Sequence, residues 1–194
     1  MPRRPLLLAL AILAPSCQNT NPESWTPTAG VGVLAFDAYD GTLTQDGVGT
    51  LSGDVDASSV EVQIGATSFA SAAPGADKQS FVGLRLATGE GEGLFQVDVD
   101  ELAGGAIWYS KSSGGVTPYA SIWSVLTTFD VPGSSSQLGV ELGGGFELAV
   151  NEAGALFVEG GLLVPLREAQ YAPFRLEYEG IGIRLGFRTL LGPR

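Results

Sequence analysis

Apolar and polar residues alternate along most of the chain after residue 30, with the two-residue period that is typical of β-strands. In residues 58–70, for example, valine and isoleucine at even positions alternate with Glu, Gln and Gly at odd positions. No segment has a convincing helical period, so the pattern predicts an all-β fold. Eight strands are predicted, at residues 31–39, 58–70, 80–88, 93–102, 117–129, 137–150, 155–165 and 174–191.

Short segments rich in Gly, Pro, Asn and Ser separate these strands. Connections this short favour antiparallel pairing between strands that follow one another in the chain. An antiparallel sheet of about eight such strands closes naturally into an up-and-down β-barrel. The outward connections are predicted at 40–57, 89–92, 131–136 and 166–173, with the tight turn "NEAG" (151–154) at the opposite end.

The polar face of the predicted strands is rich in glycine and carries isolated charges. In residues 137–150 that face is built from Gly, Glu and Ala, and in 174–191 from Gly and Arg. The interior of an eight-stranded barrel has little space, which favours small residues interspersed with a few large ones. We therefore expect an apolar outer face, including Val140, Leu142, Ile183 and Leu185, that contacts lipid. The expected charge network in the lumen comprises Glu61, Arg85, Asp98, Glu141, Glu147, Glu159, Arg184 and Arg188.

Strand lengths and aromatic positions also favour a membrane barrel. Strands of 9–14 residues match a tilted crossing of the hydrocarbon core. Aromatic residues near strand ends predict girdles at the two membrane surfaces. These residues are Trp108, Tyr109, Tyr119, Tyr171 and Phe174, while Trp123, in the middle of a strand, fits either a girdle or the lumen.

The N-terminal residues have the pattern of an export signal. Arg3 and Arg4 precede the apolar stretch "LLLALAIL", which is too short to span a bilayer. "APSC" follows, and the only cysteine, Cys17, lies where a bacterial lipoprotein signal places its acylated residue; ordinary cleavage near this point is the alternative. The predicted organisation is a signal peptide at 1–16, a flexible tether at 17–30 and the barrel at 31–194.

Composition excludes several classes of chemistry. The formal net charge of −11 disfavours binding to nucleic acid, which requires clustered Lys and Arg. The sequence contains no histidine, which excludes Ser–His and Cys–His nucleophiles and histidine metal sites. "DAYDG" (37–41) and "DVDE" (98–101) lack the spacing of a calcium loop and are interpreted as turn and lumen charges. We therefore predict a protein that is not an enzyme and has no cofactor and no metal.

The C-terminal half of the chain resembles the small outer-membrane β-barrel proteins of the eight-stranded OmpA/OmpX-like type. The residues that carry this resemblance are "TPYASIWSVLTTF", "LGVELGGGFELAVNEAGALFVEGGLLVPL" and "GIGIRLGFRTL", within residues 117–191. The resemblance implies a monomeric protein of the bacterial outer membrane whose partners are the lipid bilayer and the outer-membrane assembly machinery. Both chain ends would lie on the periplasmic side.

Two classes of function agree with these observations. The first is a non-catalytic outer-membrane barrel with a structural, envelope-integrity or surface-interaction role. The second is a periplasmic lipoprotein whose soluble, lipocalin-like barrel binds a small apolar ligand. The two differ in which face of the strands holds the Gly, Arg and Glu residues.

Replacing Cys17 with Ala tests the lipid anchor. If Cys17 is acylated, metabolic labelling with a radioactive fatty acid marks the parent protein and is lost in the Cys17→Ala variant. Labelling that persists in the variant, or an unlabelled parent, would contradict the lipoprotein interpretation.

Overall fold

A computed structural model of the chain describes residues 25–70, 76–93, 97–130, 135–171 and 173–191. These residues form nine β-strands. The strands are β1 Trp25–Gln45, β2 Gly49–Phe69, β3 Lys78–Gly93, β4 Val97–Tyr109, β5 Val116–Phe129, β6 Ser135–Ala149, β7 Gly154–Arg167, β8 Ala169–Tyr171 and β9 Phe174–Leu190. The described residues contain no helix long and apolar enough to cross a membrane.

Eight of the strands close into a barrel. Each of β1 to β7 pairs antiparallel with its neighbour in the sequence, β9 pairs with β7, and β9 returns to β1 over the length from Thr28 to Gln45. The short β8 adds to β9 at the end of the barrel that also holds the β1–β2 turn, which is called the loop end below. The predicted all-β, up-and-down antiparallel barrel is confirmed.

The first strand begins earlier than the sequence pattern predicts. β1 starts at Trp25, which pairs with Ser68, so residues 25–30 of the expected tether are part of the barrel wall. Pro27 and the Thr residues of this segment obscured the alternation. The predicted signal peptide, Cys17 and the remainder of the predicted tether lie outside the described residues.

Residues 40–57, predicted to be a long outward connection, are mostly strand. β1 continues to Gln45 and β2 starts at Gly49, which leaves a tight turn in which Gly47 has a φ of 77°. Cross-strand hydroxyl pairs link Thr42 to Ser52 and Thr44 to Thr50, each at 3.1 Å. These pairs stabilise a sheet that extends further than the Gly, Asp and Thr content predicted. The predicted connection at 89–92 also lies within β3, and that at 166–173 contains β8.

The outward face of the barrel changes from apolar to polar partway along the strands. On β2 the even-numbered residues face outward throughout, as Asp54, Asp56 and Ser58 and then as Val60 and Val62. The inward residues change in the opposite sense, because Val55 is buried at the loop end and Glu61 is buried further down the strand. The change runs from strand to strand, since Thr88, Asp100, Thr128 and Ser136 are successive partners in one row of the sheet. The loop end therefore has an apolar interior and a polar outer face, whereas the rest of the barrel has a polar interior and an apolar outer face.

This change corrects one of the predicted lumen residues. Asp98 faces outward and is exposed, while Val97 is buried in the barrel. The prediction assumed that the valines of β4 lie on the lipid face along the whole strand. They lie inward, because β4 belongs to the loop end of the barrel as far as Glu101 and Leu102. From there on, the outward face of β4 is apolar.

Two of the predicted girdle residues also face inward. Tyr109 donates a hydrogen bond to Glu147, and Tyr119 donates one to Glu159, both at 2.9 Å. Trp108 faces outward and is 44% exposed, as a girdle residue would be. Trp123 is fully buried in the lumen, which decides the position that the sequence left open.

A charge placed on the apolar part of the outer face should destabilise the barrel in lipid. Replacing Ile183 with Arg should lower the free energy of unfolding from bilayers by ~2–4 kcal/mol, because an arginine near the membrane midplane loses its hydration. Equilibrium unfolding in urea from lipid vesicles measures this change.

The matched control is Glu177→Arg, on the same strand and the same outward face but beyond the change to polar residues. This variant should leave the unfolding midpoint nearly unchanged. Equal effects at positions 177 and 183 would contradict the assignment of a lipid-facing band.

Candidate functional site

Charged side chains from four strands meet in the lumen around Glu141 on β6. Arg85 on β3 donates to both carboxylate oxygens of Glu141, at 3.1 and 2.8 Å. Arg184 on β9 also donates to both oxygens, at 2.8 and 2.7 Å. Glu141 thus holds two guanidinium groups through paired hydrogen bonds, the strongest geometry available to an Arg–carboxylate contact.

Glu61 on β2 supplies the second carboxylate of this cluster. Its Oε2 lies 3.2 Å from Arg184 Nε and 3.8 Å from Arg85 Nε. Its Oε1 accepts a hydrogen bond from the Gln63 side chain at 2.8 Å. All of these groups are buried. Glu101 on β4, a fifth strand, lies at the edge of this cluster, with its Oε2 3.9 Å from Arg85 Nη2. Buried carboxylates therefore meet both arginines where water does not screen the charges.

A second cluster surrounds Arg188, nearer the end of the barrel that holds the turn between β6 and β7. Arg188 donates to Gln63 at 2.8 Å, to Glu147 at 2.9 Å and to Glu159 at 3.1 Å. Its guanidinium carbon also lies 4.0 Å from the centre of the Phe157 ring. Because Gln63 contacts both Arg188 and Glu61, its amide connects the two clusters.

Hydroxyl and ammonium groups complete the second cluster. Lys78 forms an ion pair with Glu147, which also accepts from Tyr109. Glu159 accepts from Tyr119 at 2.9 Å and from Ser121 at 3.4 Å. Each carboxylate of this cluster therefore has a cationic partner and at least one hydroxyl donor.

Aromatic and aliphatic side chains fill the lumen on the loop side of the charges. The rings of Tyr39 and Tyr178 stack at 4.6 Å between centroids, and Phe129 meets Tyr178 edge-on at 6.2 Å. Between this cluster and Arg184 lies a cavity of about 20 Å³. A space of that size holds about one water molecule. The described lumen is thus occupied by side chains from its charged middle to its apolar loop end.

Seven of the eight predicted lumen residues lie in these two clusters, and Asp98 does not. Several residues of the two clusters were not predicted, because an amide or a tyrosine on the polar face of a strand does not by itself indicate a buried charge network. Lys78 was missed because its strand was predicted to begin at residue 80. Glu101 was missed because Val97 and the other odd-numbered residues of β4 were assigned to the lipid face. Tyr109 is also an odd-numbered residue of β4, so it lies on the same face as Glu101. The missed residues are Gln63, Lys78, Glu101, Tyr109 and Tyr119.

The outer surface at the loop end is acidic. Asp40 pairs across the sheet with Asp54 on one side and Glu179 on the other. Burial, followed by the neighbouring Glu179 and Glu168 carboxylates, raises the pKa of Glu177 above its ordinary value. Among the described residues, no group of three or more His, Cys, Asp or Glu side chains is placed to hold a metal ion.

Comparisons with known proteins give structural likenesses only. No protein-family model matches the chain, and no curated protein matches it. The crystal structure of Neisserial surface protein A (NspA) has a TM-score of 0.48 and 11% identity, covering 84% of this chain and 96% of that chain. The outer membrane protein OprG from Pseudomonas aeruginosa has a TM-score of 0.49 and 16% identity, covering 86% and 95%.

A double-mutant cycle tests the pairing of Arg184 with Glu141. Replacing Arg184 with Met leaves part of the Glu141 charge unpaired in the lumen and should cost about 3–5 kcal/mol of stability. Adding Glu141→Gln should recover part of that loss, with a coupling energy of ~0.5–3 kcal/mol in barrel unfolding.

The control cycle combines Glu141→Gln with Arg188→Met, because Arg188 lies in the other cluster and makes its hydrogen bonds to Gln63, Glu147 and Glu159. The effects of this second pair should add to within about 0.5 kcal/mol. Additive behaviour in the Arg184–Glu141 cycle would show that the two charges do not act as a pair.

Proposed function

We propose that this protein is a β-barrel of the bacterial outer membrane with a non-catalytic structural, envelope-integrity or surface-interaction role. The observation that carries the proposal is the reversed barrel. Large apolar side chains such as Val62, Leu86 and Leu142 point outward and are about half exposed, at 46%, 51% and 52%. Arg85, Arg184 and Glu141 are buried inside.

A soluble barrel with this arrangement would be unfavourable on both faces. Water would contact an apolar band that encircles the barrel, whereas soluble monomers rarely expose apolar patches larger than a few hundred Å². In a bilayer, the same band faces hydrocarbon, and the backbone polar groups of the band are paired around a closed ring of eight strands. The contrast between the two environments supports the membrane assignment.

The alternative of a soluble lipocalin-like barrel has less support. A site for a small apolar ligand requires an apolar cavity in the barrel. The middle of this lumen instead holds two ion-pair clusters, and the apolar cluster at the loop end is filled by its own side chains.

The even number of barrel strands supports an orientation. The first strand begins and the last strand ends at the same end of the barrel as the turn at 151–154. We place this end in the periplasm, where an acyl group on Cys17 would enter the inner leaflet of the outer membrane. The loop end, with its extended β1–β2 hairpin and acidic surface, would then face outward and make the surface interactions.

We assign the lumen a structural role and no transport. Each charge of the two clusters is held by partners on other strands, so the network joins the strands and fills the space a solute would need. The proposed partners in the envelope are the lipid bilayer and the assembly machinery, and the barrel is proposed to act as a monomer.

Purified protein gives a direct test of the membrane assignment. The full chain should require detergent to remain dispersed and should migrate faster on gels before heating than after, because a closed barrel resists unfolding in detergent. In planar bilayers it should give no steady conductance, because the lumen is occupied.

The possible outcomes separate the two parts of the proposal. A protein that stays soluble without detergent after its lipid-modified segment is removed would overturn the membrane assignment. A steady ohmic conductance from a detergent-dependent, heat-modifiable protein would overturn only the occupied lumen.

A further inference from the structure

The barrel wall has an interruption between β7 and β9. Their pairing ends at Leu163 and Gly180, and the next pair on that side of β9 joins Leu176 to Ala169 of β8. Five residues, 164–168, therefore lie opposite the three residues 177–179. The mismatch breaks the ladder of backbone hydrogen bonds along this part of β9.

The side chain of Gln137 replaces the missing ladder bonds. Its Nε2 donates to the carbonyl oxygen of Tyr178 at 2.6 Å, and its Oε1 accepts from the Tyr178 N–H at 2.8 Å. A primary amide presents one donor and one acceptor side by side, as a strand backbone does. Gln137 is fully buried and belongs to β6, so it reaches past the neighbouring strand to contact β9.

A proline and apolar side chains surround the interruption. Pro165 has no N–H to contribute to a ladder. Outside the wall, Leu166 is 65% exposed, and inside it Tyr178 and Leu163 belong to the buried apolar cluster. Among the described residues, the two bonds of Gln137 hold Tyr178 in the middle of this segment, and an ion pair of 3.8 Å joins Glu168 to Arg175 at its edge. The β1–β9 ladder on the opposite side of β9 is nearly continuous.

We propose that Gln137 is a latch that closes the barrel wall, and that the wall opens locally between residues 164–168 and 177–179 when its amide releases Tyr178. Opening would expose the apolar cluster at the loop end to the outside of the barrel. The ion-pair clusters would remain closed, since Arg184 and Arg188 lie further along β9, where pairing with β7 is regular.

Residue-resolved amide hydrogen exchange on the full protein in lipid or detergent tests the latch. Gln137→Met keeps the length of the side chain and removes both hydrogen bonds. Tyr178 should then exchange about tenfold faster, as loss of one or two net hydrogen bonds predicts. Exchange at Gly182 and Gly186 of the same strand should change little.

The matched control is Thr127→Val. Thr127 is buried and is the cross-strand partner of Gln137, but its side chain makes no hydrogen bond to β9 among the described residues. Exchange at Tyr178 should be unaffected in this variant. An unchanged Tyr178 rate in Gln137→Met, or an increase shared equally along β9, would overturn the proposal.

The unaltered protein provides a second measurement in case Gln137→Met does not fold. Local opening predicts that Tyr178 exchanges faster than Leu176 on one side and Gly182 on the other. Simple fraying from the strand end predicts a steady fall from Leu176 through Tyr178 to Gly182, and that result would overturn the latch.

Discussion

The shared carboxylate of Glu141 is the interaction on which the arrangement of the lumen depends. A narrow, poorly hydrated interior tolerates an arginine only if a carboxylate meets it, and here one carboxylate meets Arg85 and Arg184 together. The glycines of the neighbouring strands leave the necessary space. A Cβ on Gly161 would lie 2.6 Å from Glu141 Oε1, and one on Gly32 would lie 2.9 Å from Glu61 Oε1. The glycines of the polar face thus provide the space that its charged side chains occupy.

Along their length, β2 and β9 pass from a part of the barrel with a polar outer face to a part with an apolar outer face. At the loop end, Val55 and Tyr178 are buried while Asp54 and Glu179 face outward, as in a water-soluble barrel. Further along, Val60 and Ile183 face outward while Glu61 and Arg184 are buried. In β2 and β9 the alternation of side-chain direction continues unbroken through this change, so only the choice of residue marks where the surrounding medium changes.

Much of the fold and most of the lumen could be predicted from the sequence because a two-residue period defines strand faces. Glycine and isolated charges on one face then indicated the crowded interior, which brought together Arg85, Glu141 and Arg184. Asp98 was misplaced because alternation alone does not report which face is apolar in each part of a strand. Gln63 and Gln137 could not be identified, because their roles depend on neighbours that only the closed sheet supplies. The early start of β1 was missed because Pro27 and the nearby threonines gave no clear alternation.

The distribution of charge partners over distant strands has a consequence for the order of assembly. Glu61 and Arg85 come from adjacent strands near the start of the chain, while Glu141 and Arg184 come from β6 and β9. An open sheet that entered the hydrocarbon before β9 met β1 would carry these ions without their partners, at a cost of several kcal/mol for each. Ring closure and insertion must therefore be coupled, because complete neutralisation of the interior is available only to a nearly finished ring. The last strand to be synthesised is consequently the one that makes the preceding seven compatible with lipid.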